Sequence, residues 1–170
     1  NNYSDFEKAF AAQITFFISK MIKACEVVEE CHQVHLPSPF LSAVIDDCLD
    51  NGTDVTKGGA MYNFSGIQAI QIANIADSLA VLKELVFDKK FVDKRTFLET
   101  LRTNFAGNEI LRQKCLHIPK YGNDVEWVDE CGAKWVRFFA KSIGKYKNYR
   151  GGSYQMGLYT VSAHVPMGKD

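Results

Sequence analysis

Apolar residues recur every three or four positions from Phe6 through Phe10, Ile14, Phe17, Met21 and Cys25 to Val28. A stripe of that length and period predicts one long helix over about residues 5–34 with a continuous buried face. Ser4-x-x-Glu7 has the form of a capping box at its start, and Leu36-Pro37 ends it. This helix sets the balance of the chain: long helices, with a few short strands at wide intervals.

Ser38-Pro39 places an N-cap before a first-turn proline, so a second helix is expected from Pro39 to about Asp50, stopped at Asn51-Gly52. Gly58-Gly59 precedes Ala60 to Phe64, which reads as a short strand broken by Ser65-Gly66. Ile67 to Ile72 is apolar but too short for periodicity to assign. Asn74 to Phe87 is helical in pattern, with Ala76, Leu79, Leu82 or Lys83, and Val86 along one side. Asp93 caps a further helix carrying Phe97, Leu98, Leu101 and Phe105, and Gly107-Asn108 restarts a short one through Leu111 and Cys115.

Pro119 to Asn123 reads as a loop. Asp124 is the expected N-cap of a helix reaching about Tyr146, with Val128, Cys131, Trp135, Phe138 or Phe139, and Ile143 inward. Arg150-Gly151-Gly152 is a turn, and Leu158 to Val165 has the β-branched content of a strand. Tyr159, Val161, Ala163 and Val165 alternate with Leu158, Thr160, Ser162 and His164. Strands separated by whole helices imply parallel or mixed pairing with helices covering the outside, hence an α/β fold. Two or three strands neither close a barrel nor finish a sheet, so partner strands are expected elsewhere.

Composition excludes several function classes. Lys+Arg and Asp+Glu balance at 20 each, leaving no net field to draw nucleic acid or an anionic membrane. Apolar stretches are broken by charge well short of a membrane span. The start, Asn1-Asn2-Tyr3, lacks Met and any signal-peptide order, which fits a processed or partial chain. Cys25, Cys31, Cys48, Cys115 and Cys131 are odd in number and form no C-x-x-C, so a reducing cytoplasm is expected rather than a disulfide framework.

The chemistry-bearing clusters are weak. His32 and His35 share a helix face beside Cys31, but no second cluster completes a zinc site, and a polar helix end accounts for them. Asp46, Asp47 and Asp50 suggest paired carboxylates, yet adjacent helical residues point about 100° apart. Gly58-Gly59 and Gly151-Gly152 lack the residues of a phosphate loop. Ser162 and His164 share a strand face with no orienting acid, and no G-x-S-x-G elbow exists. His117 stands alone, and Trp127 and Trp135 fall at core spacing. No metal ligand set and no catalytic residue emerge.

Several blocks in order carry a resemblance. They are Pro39-Phe40-Leu41-Ser42-Ala43-Val44-Ile45-Asp46-Asp47-Cys48, Gly58 to Gly66, Ala73-Asn74-Ile75-Ala76-Asp77-Ser78-Leu79-Ala80, Leu85-Val86-Phe87, Asn104-Phe105-Ala106-Gly107 and Leu111-Arg112. Pro119-Lys120-Tyr121-Gly122-Asn123-Asp124 and Gly157 to Lys169 complete the series. From about Pro37 to Lys169 the chain resembles the glycyl radical enzymes, the pyruvate formate-lyase and glycerol dehydratase-like family. Tyr159-Thr160-Val161-Ser162-Ala163-His164 is closer in wording to the diol-dehydratase and amino-acid-lyase branches.

The resemblance implies the helix-rich part of a ten-stranded α/β barrel ringed by helices. It implies a radical lyase or dehydratase that cleaves C–O, C–C, C–N or C–S bonds of a small-molecule substrate through a cysteine thiyl radical. A glycyl radical, installed by a separate radical-SAM activating enzyme, starts the chemistry, and no bound metal or cofactor is implied. The full-length family member is expected to be a cytoplasmic homodimer.

The family's cysteine loop reads roughly Gly-Cys-Val-Glu and its glycine loop Arg-Val-x-Gly-Tyr, and neither occurs in this sequence. Residues 1–170 therefore resemble one internal segment of a pyruvate formate-lyase-like domain, inactive alone, whose partner is the rest of the polypeptide. By family position Tyr159, Val161 and Ala163 are the expected substrate-lining residues. Period two establishes alternation and not which face is inward, so packing against helices stays open for the same side chains. The alternative function is a non-catalytic scaffold or binding domain of the same fold.

Overall fold

The computed structural model describes residues 2–159. Val161 and Ala163, with most of the strand expected over 158–165, lie outside the described residues. Helix α1 spans Tyr3–His35 and α2 Pro39–Val44. A single 3₁₀ turn, Val55–Lys57, precedes strand β1, Ser65–Ile70. Then follow α3 (Ile72–Val81), a π-helical turn over Leu82–Asp88, α4 (Lys94–Arg102), α5 (Glu109–His117), α6 (Glu126–Ile143) and β2 (Tyr154–Tyr159). None of these helices is long and apolar enough to cross a membrane.

The residues divide into two compact units, Asn1–Ala9 with Gln71–Arg137 and Phe10–Ile70 with Phe138–Asp170. The second unit holds the sheet. β1 and β2 pair in parallel, Ser65 opposite Tyr154 through to Ile70 opposite Tyr159. Parallel pairing requires the long helical crossover that separates them, as expected from the sequence. Behind the sheet lies a core of Ile18, Ile22, Ile67, Ile143 and Tyr154, joined by Ile14, Met21, Cys25, Phe139 and Met156. Phe139 is thus the packing member of the Phe138–Phe139 pair in this core.

Two expectations about α1 change. The cap is Asn2 with Asp5, each side chain accepting the other's backbone N–H (2.9 and 3.3 Å), and not Ser4 with Glu7. The buried stripe passes through Ile18, Ile22 and Glu29, whereas Phe17 and Val28 are more than half exposed. The expected stripe was one position off along part of the helix, because apolar residues flank it on both sides.

The expected strand at 60–64 is also displaced: β1 begins at Ser65, where a break was expected. The carbonyls that would have paired in a ladder are taken by side chains. Asn63 O accepts from Asn148 Nδ2 at 2.6 Å, and Phe64 O accepts from Arg150 Nη2 at 3.2 Å. Likewise α2 stops at Val44 rather than Asp50: Asp47 turns left-handed (φ 73°), and its carboxylate accepts the Met61 N–H at 3.0 Å. Asp54 then organises the connection, accepting from Ser38 N–H (3.0 Å), Thr56 N–H (2.9 Å) and Thr56 Oγ1 (2.6 Å), with Ser42 Oγ at 2.8 Å.

The first unit packs Ala76, Ala80, Leu85, Val86, Phe97, Leu111, Ile118 and Val128 into one core. Asp93 caps α4 as expected, accepting from Arg95 and Thr96 N–H at 2.9 and 3.1 Å. Asp124 does not cap α6. It is left-handed (φ 59°), and the Val125 carbonyl takes the first helical N–H bonds, from Val128 and Asp129. The 119–124 loop is held instead by carboxylates outside it: Asp77 accepts the Tyr121 N–H and Asp129 the Gly122 N–H, each at 2.7 Å.

Two outcomes test this packing. Gly152→Ala should lower stability by about 1–3 kcal/mol in urea unfolding, since its Cβ would fall 2.3 Å from the Asn63 carbonyl oxygen. Gly107→Ala, with open space around it, should cost only about 1 kcal/mol of left-handed strain. The Asp54 carboxyl is lowered to about 2 from 3.8, chiefly by the Thr56 hydroxyl. Its depressed value means its contribution is full above about 3.8 and lost as pH falls through about 2. Asp54→Asn should flatten the acid limb of a stability-versus-pH curve in that window.

Candidate functional site

Residues on successive positions of a strand face opposite ways. Ser65, Ile67 and Ala69 share a face with Tyr154, Met156 and Leu158, and the Ile67, Tyr154 and Met156 side chains pack into the helical core behind the sheet. Gly66, Gln68 and Ile70 stand opposite Gln155, Gly157 and Tyr159 on the other face. That face is open among the described residues: Gly66, Gln68, Ile70, Gln155 and Tyr159 are all exposed. Tyr159, the one sequence-predicted lining residue that is described, therefore lies on the face turned away from the helices.

Gly157 shapes this open face. A Cβ at position 157 would meet Gln68 Oε1 and would lie 2.7 Å from Tyr159 Cε2. The missing side chain lets the Gln68 carboxamide and the Tyr159 ring lie across the strand from either side. A glycine inside a strand commonly marks such a close approach.

Below this face, at the start of both strands, sits a buried polar hub. Glu29 is 7% exposed on α1. Its carboxylate accepts from the Ser65 hydroxyl at the first residue of β1 and from the Tyr149 N–H at 2.8 Å, and Arg150 Nη1 approaches to 3.6 Å. Asn148, 4% exposed, donates to Ser65 Oγ at 3.0 Å and accepts the Gly152 N–H at 2.7 Å. Arg150 donates further to Ser65 Oγ at 3.2 Å. Arg150-Gly151-Gly152 is the expected turn, but its arginine works inward. Next to the hub, burial first and then the Glu29 charge push the Tyr154 phenol up to about 12, keeping it protonated.

Sequence reasoning missed Glu29 and Gln68. A carboxylate on the 18–22–25–29 spacing was the available signal for Glu29. For Gln68 it was a polar residue at alternate spacing inside Gly66 to Ile70. The remaining candidates stay apart: among the described residues no group of three or more His, Cys, Asp or Glu could hold a metal, and all five cysteines are free. Burial raises the Cys25, Cys115 and Cys131 thiols. None of these three has the depressed pKa of a reactive thiolate.

A family model described as pyruvate formate lyase-like matches residues 1–168. The trans-4-hydroxy-L-proline dehydratase of Clostridioides difficile is 34% identical over 169 residues, 99% of this chain and 21% of that protein. The structure of that organism's hydroxyproline dehydratase with trans-4-hydroxy-L-proline bound superposes with a TM-score of 0.92 at 33% identity, covering 98% of this chain and 21% of the other. The glycerol-bound B12-independent glycerol dehydratase from Clostridium butyricum gives a TM-score of 0.88 at 37% identity, over 93% and 20%. The chain thus spans about a fifth of the length of the proteins it matches.

Removing one partner of a buried charge pair costs more than the pair contributes. Glu29→Ala should therefore destabilise the protein by about 3–5 kcal/mol in urea unfolding. Glu29→Met combined with Arg150→Leu should cost less than Glu29→Met alone, a non-additivity read from the double-mutant cycle.

Proposed function

The chain belongs to the pyruvate formate-lyase-like, glycyl radical enzyme family, and on that premise we propose that it forms part of the reaction-chamber wall of a radical dehydratase or lyase. Its fold is the helix-rich part of such a barrel, with a small parallel sheet backed by helices. The observation that carries the reading is the division of that sheet: Ile67, Tyr154 and Met156 on one face pack against α1 and α6, short of Leu158 at the strand end, and the other face is open and carries Tyr159.

A carbon or sulfur radical persists only where water is excluded. The apolar backing of Ile18, Ile22, Ile67 and Ile143 seals one side of such a chamber. The open face, with Tyr159, lines its inside, and Val161 and Ala163, which lie outside the described residues, are lining residues by family position only. The reacting cysteine and the radical glycine belong to loops whose motifs this sequence does not contain. The cysteine's thiyl radical takes a hydrogen atom from a substrate carbon, the substrate radical loses water, and the thiol returns the hydrogen atom. A radical-SAM activating enzyme generates the glycyl radical beforehand.

Exposed large side chains support a role within a larger polypeptide. Phe40 is 85% exposed, and Phe17, Leu49, Met61 and Tyr62 each exceed 60%. Apolar surface of this kind marks a place where further protein packs. The relatives' chemistry points to a small hydroxyl-bearing substrate.

The full-length polypeptide, incubated without oxygen with its activating enzyme, should show a glycyl radical by electron paramagnetic resonance. It should consume glycerol or trans-4-hydroxy-L-proline. Residues 1–170 alone should do neither. Turnover by residues 1–170 alone, or no radical in the full-length protein, would contradict the reading.

A further inference from the structure

Position 68 lies between two buried residues of β1, Ile67 and Ala69, and so points to the open face of the sheet. The Gln68 Nε2 lies 3.6 Å from where a Gly66 Cβ would stand, and its Oε1 lies over Gly157. The carboxamide is therefore laid along the sheet between two residues without side chains. Beyond Gly157 the Tyr159 ring comes in from the neighbouring strand. Among the described residues the Gln68 carboxamide has no hydrogen-bond partner, whereas Glu29, Ser65, Asn148 and Arg150 of the hub below are bonded to one another.

The chemistry of this face is selective. Gly66, Gln68, Ile70, Gln155, Gly157 and Tyr159 carry no charge. Among the described residues of this face a carboxylate or sulfonate group would find no counter-charge. A carboxamide offers one acceptor oxygen and two donor hydrogens, and a hydroxyl both donates and accepts, so the two match without a charged partner. Gly66 and Gly157 give the space over their backbones to the Gln68 amide and the Tyr159 ring, which leaves the outer side of both groups facing the open side of the sheet.

We infer that Gln68 is a specificity-determining residue of the chamber, hydrogen-bonding a neutral hydroxyl of the small substrate while Tyr159 borders the same spot; this rests on the chamber-wall reading above. A site that hydrogen-bonds a substrate hydroxyl discriminates through the polar group it would otherwise leave unpaired.

The test uses the activated full-length polypeptide with glycerol and trans-4-hydroxy-L-proline as probes, comparing wild type with Gln68→Leu and Gln68→Glu. Because Gln68 is exposed and leucine is close to it in volume, thermal unfolding should hardly change. Gln68→Leu should raise KM about ten-fold for the probe that is consumed, with glycyl radical content unchanged. Gln68→Glu, which keeps an acceptor at the same reach, should recover part of that loss. Wild-type turnover with both variants within two-fold of its KM overturns the role of Gln68 alone. Lost radical or lowered thermal stability with unchanged KM marks a structural role and overturns it too. A wild type that consumes neither probe overturns the lyase reading and this inference with it.

Discussion

The second unit of the structure depends on one buried carboxylate. Glu29 sits on α1 within a stripe that is otherwise apolar, and it reaches the first residue of β1 through the Ser65 hydroxyl. It reaches the approach to β2 through the Tyr149 N–H and Arg150. Two parallel strands about ninety residues apart in sequence need something to fix their register, because a tight turn cannot do it. The hub does so at the end where pairing starts. A buried ion pair of this kind adds little net stability over an apolar equivalent, but losing one member is costly. It therefore acts as a specifying contact, holding Ser65 opposite Tyr154 and so fixing which residues of both strands, one, three and five positions further on, make up the open face.

Much of the helical architecture was legible in the sequence because helices announce themselves through period and caps. The Val128, Trp135 and Ile143 positions of α6 are buried as their spacing implied, and Asp93 caps α4. What the sequence hid was decided by long-range partners. The stretch 60–64 has strand-like composition, yet Asn148 and Arg150, more than eighty residues away, claim its carbonyls. Ile67 to Ile72 had no readable period because it changes element partway: β1 ends at Ile70 and a left-handed Gln71 (φ 67°) turns the chain into α3. Asp124 looked like a cap, but the bonds that fix its loop come from Asp77 and Asp129.

The candidate lining residues came from family resemblance and not from chemistry. No motif on these residues performs a reaction, and alternation at Tyr159 left its direction open. The structure adds the direction: α1 and α6 occupy the face shared by Tyr154 and Met156, which leaves Tyr159 on the other. Gln68 escaped notice because its neighbours are small and apolar, and its setting depends on glycine at 157 on a strand that only folding brings alongside.

On the proposed reading, the face bearing Gln68, Gly157 and Tyr159 is the inner wall of the chamber. The most direct measurement is a structure of the full-length polypeptide with glycerol or trans-4-hydroxy-L-proline bound. The account predicts that Gln68 and Tyr159 point into the cavity and that ligand atoms lie within about 4 Å of that face. A structure in which that face is covered by further helices, with the ligand on the Tyr154 and Met156 side, would contradict it.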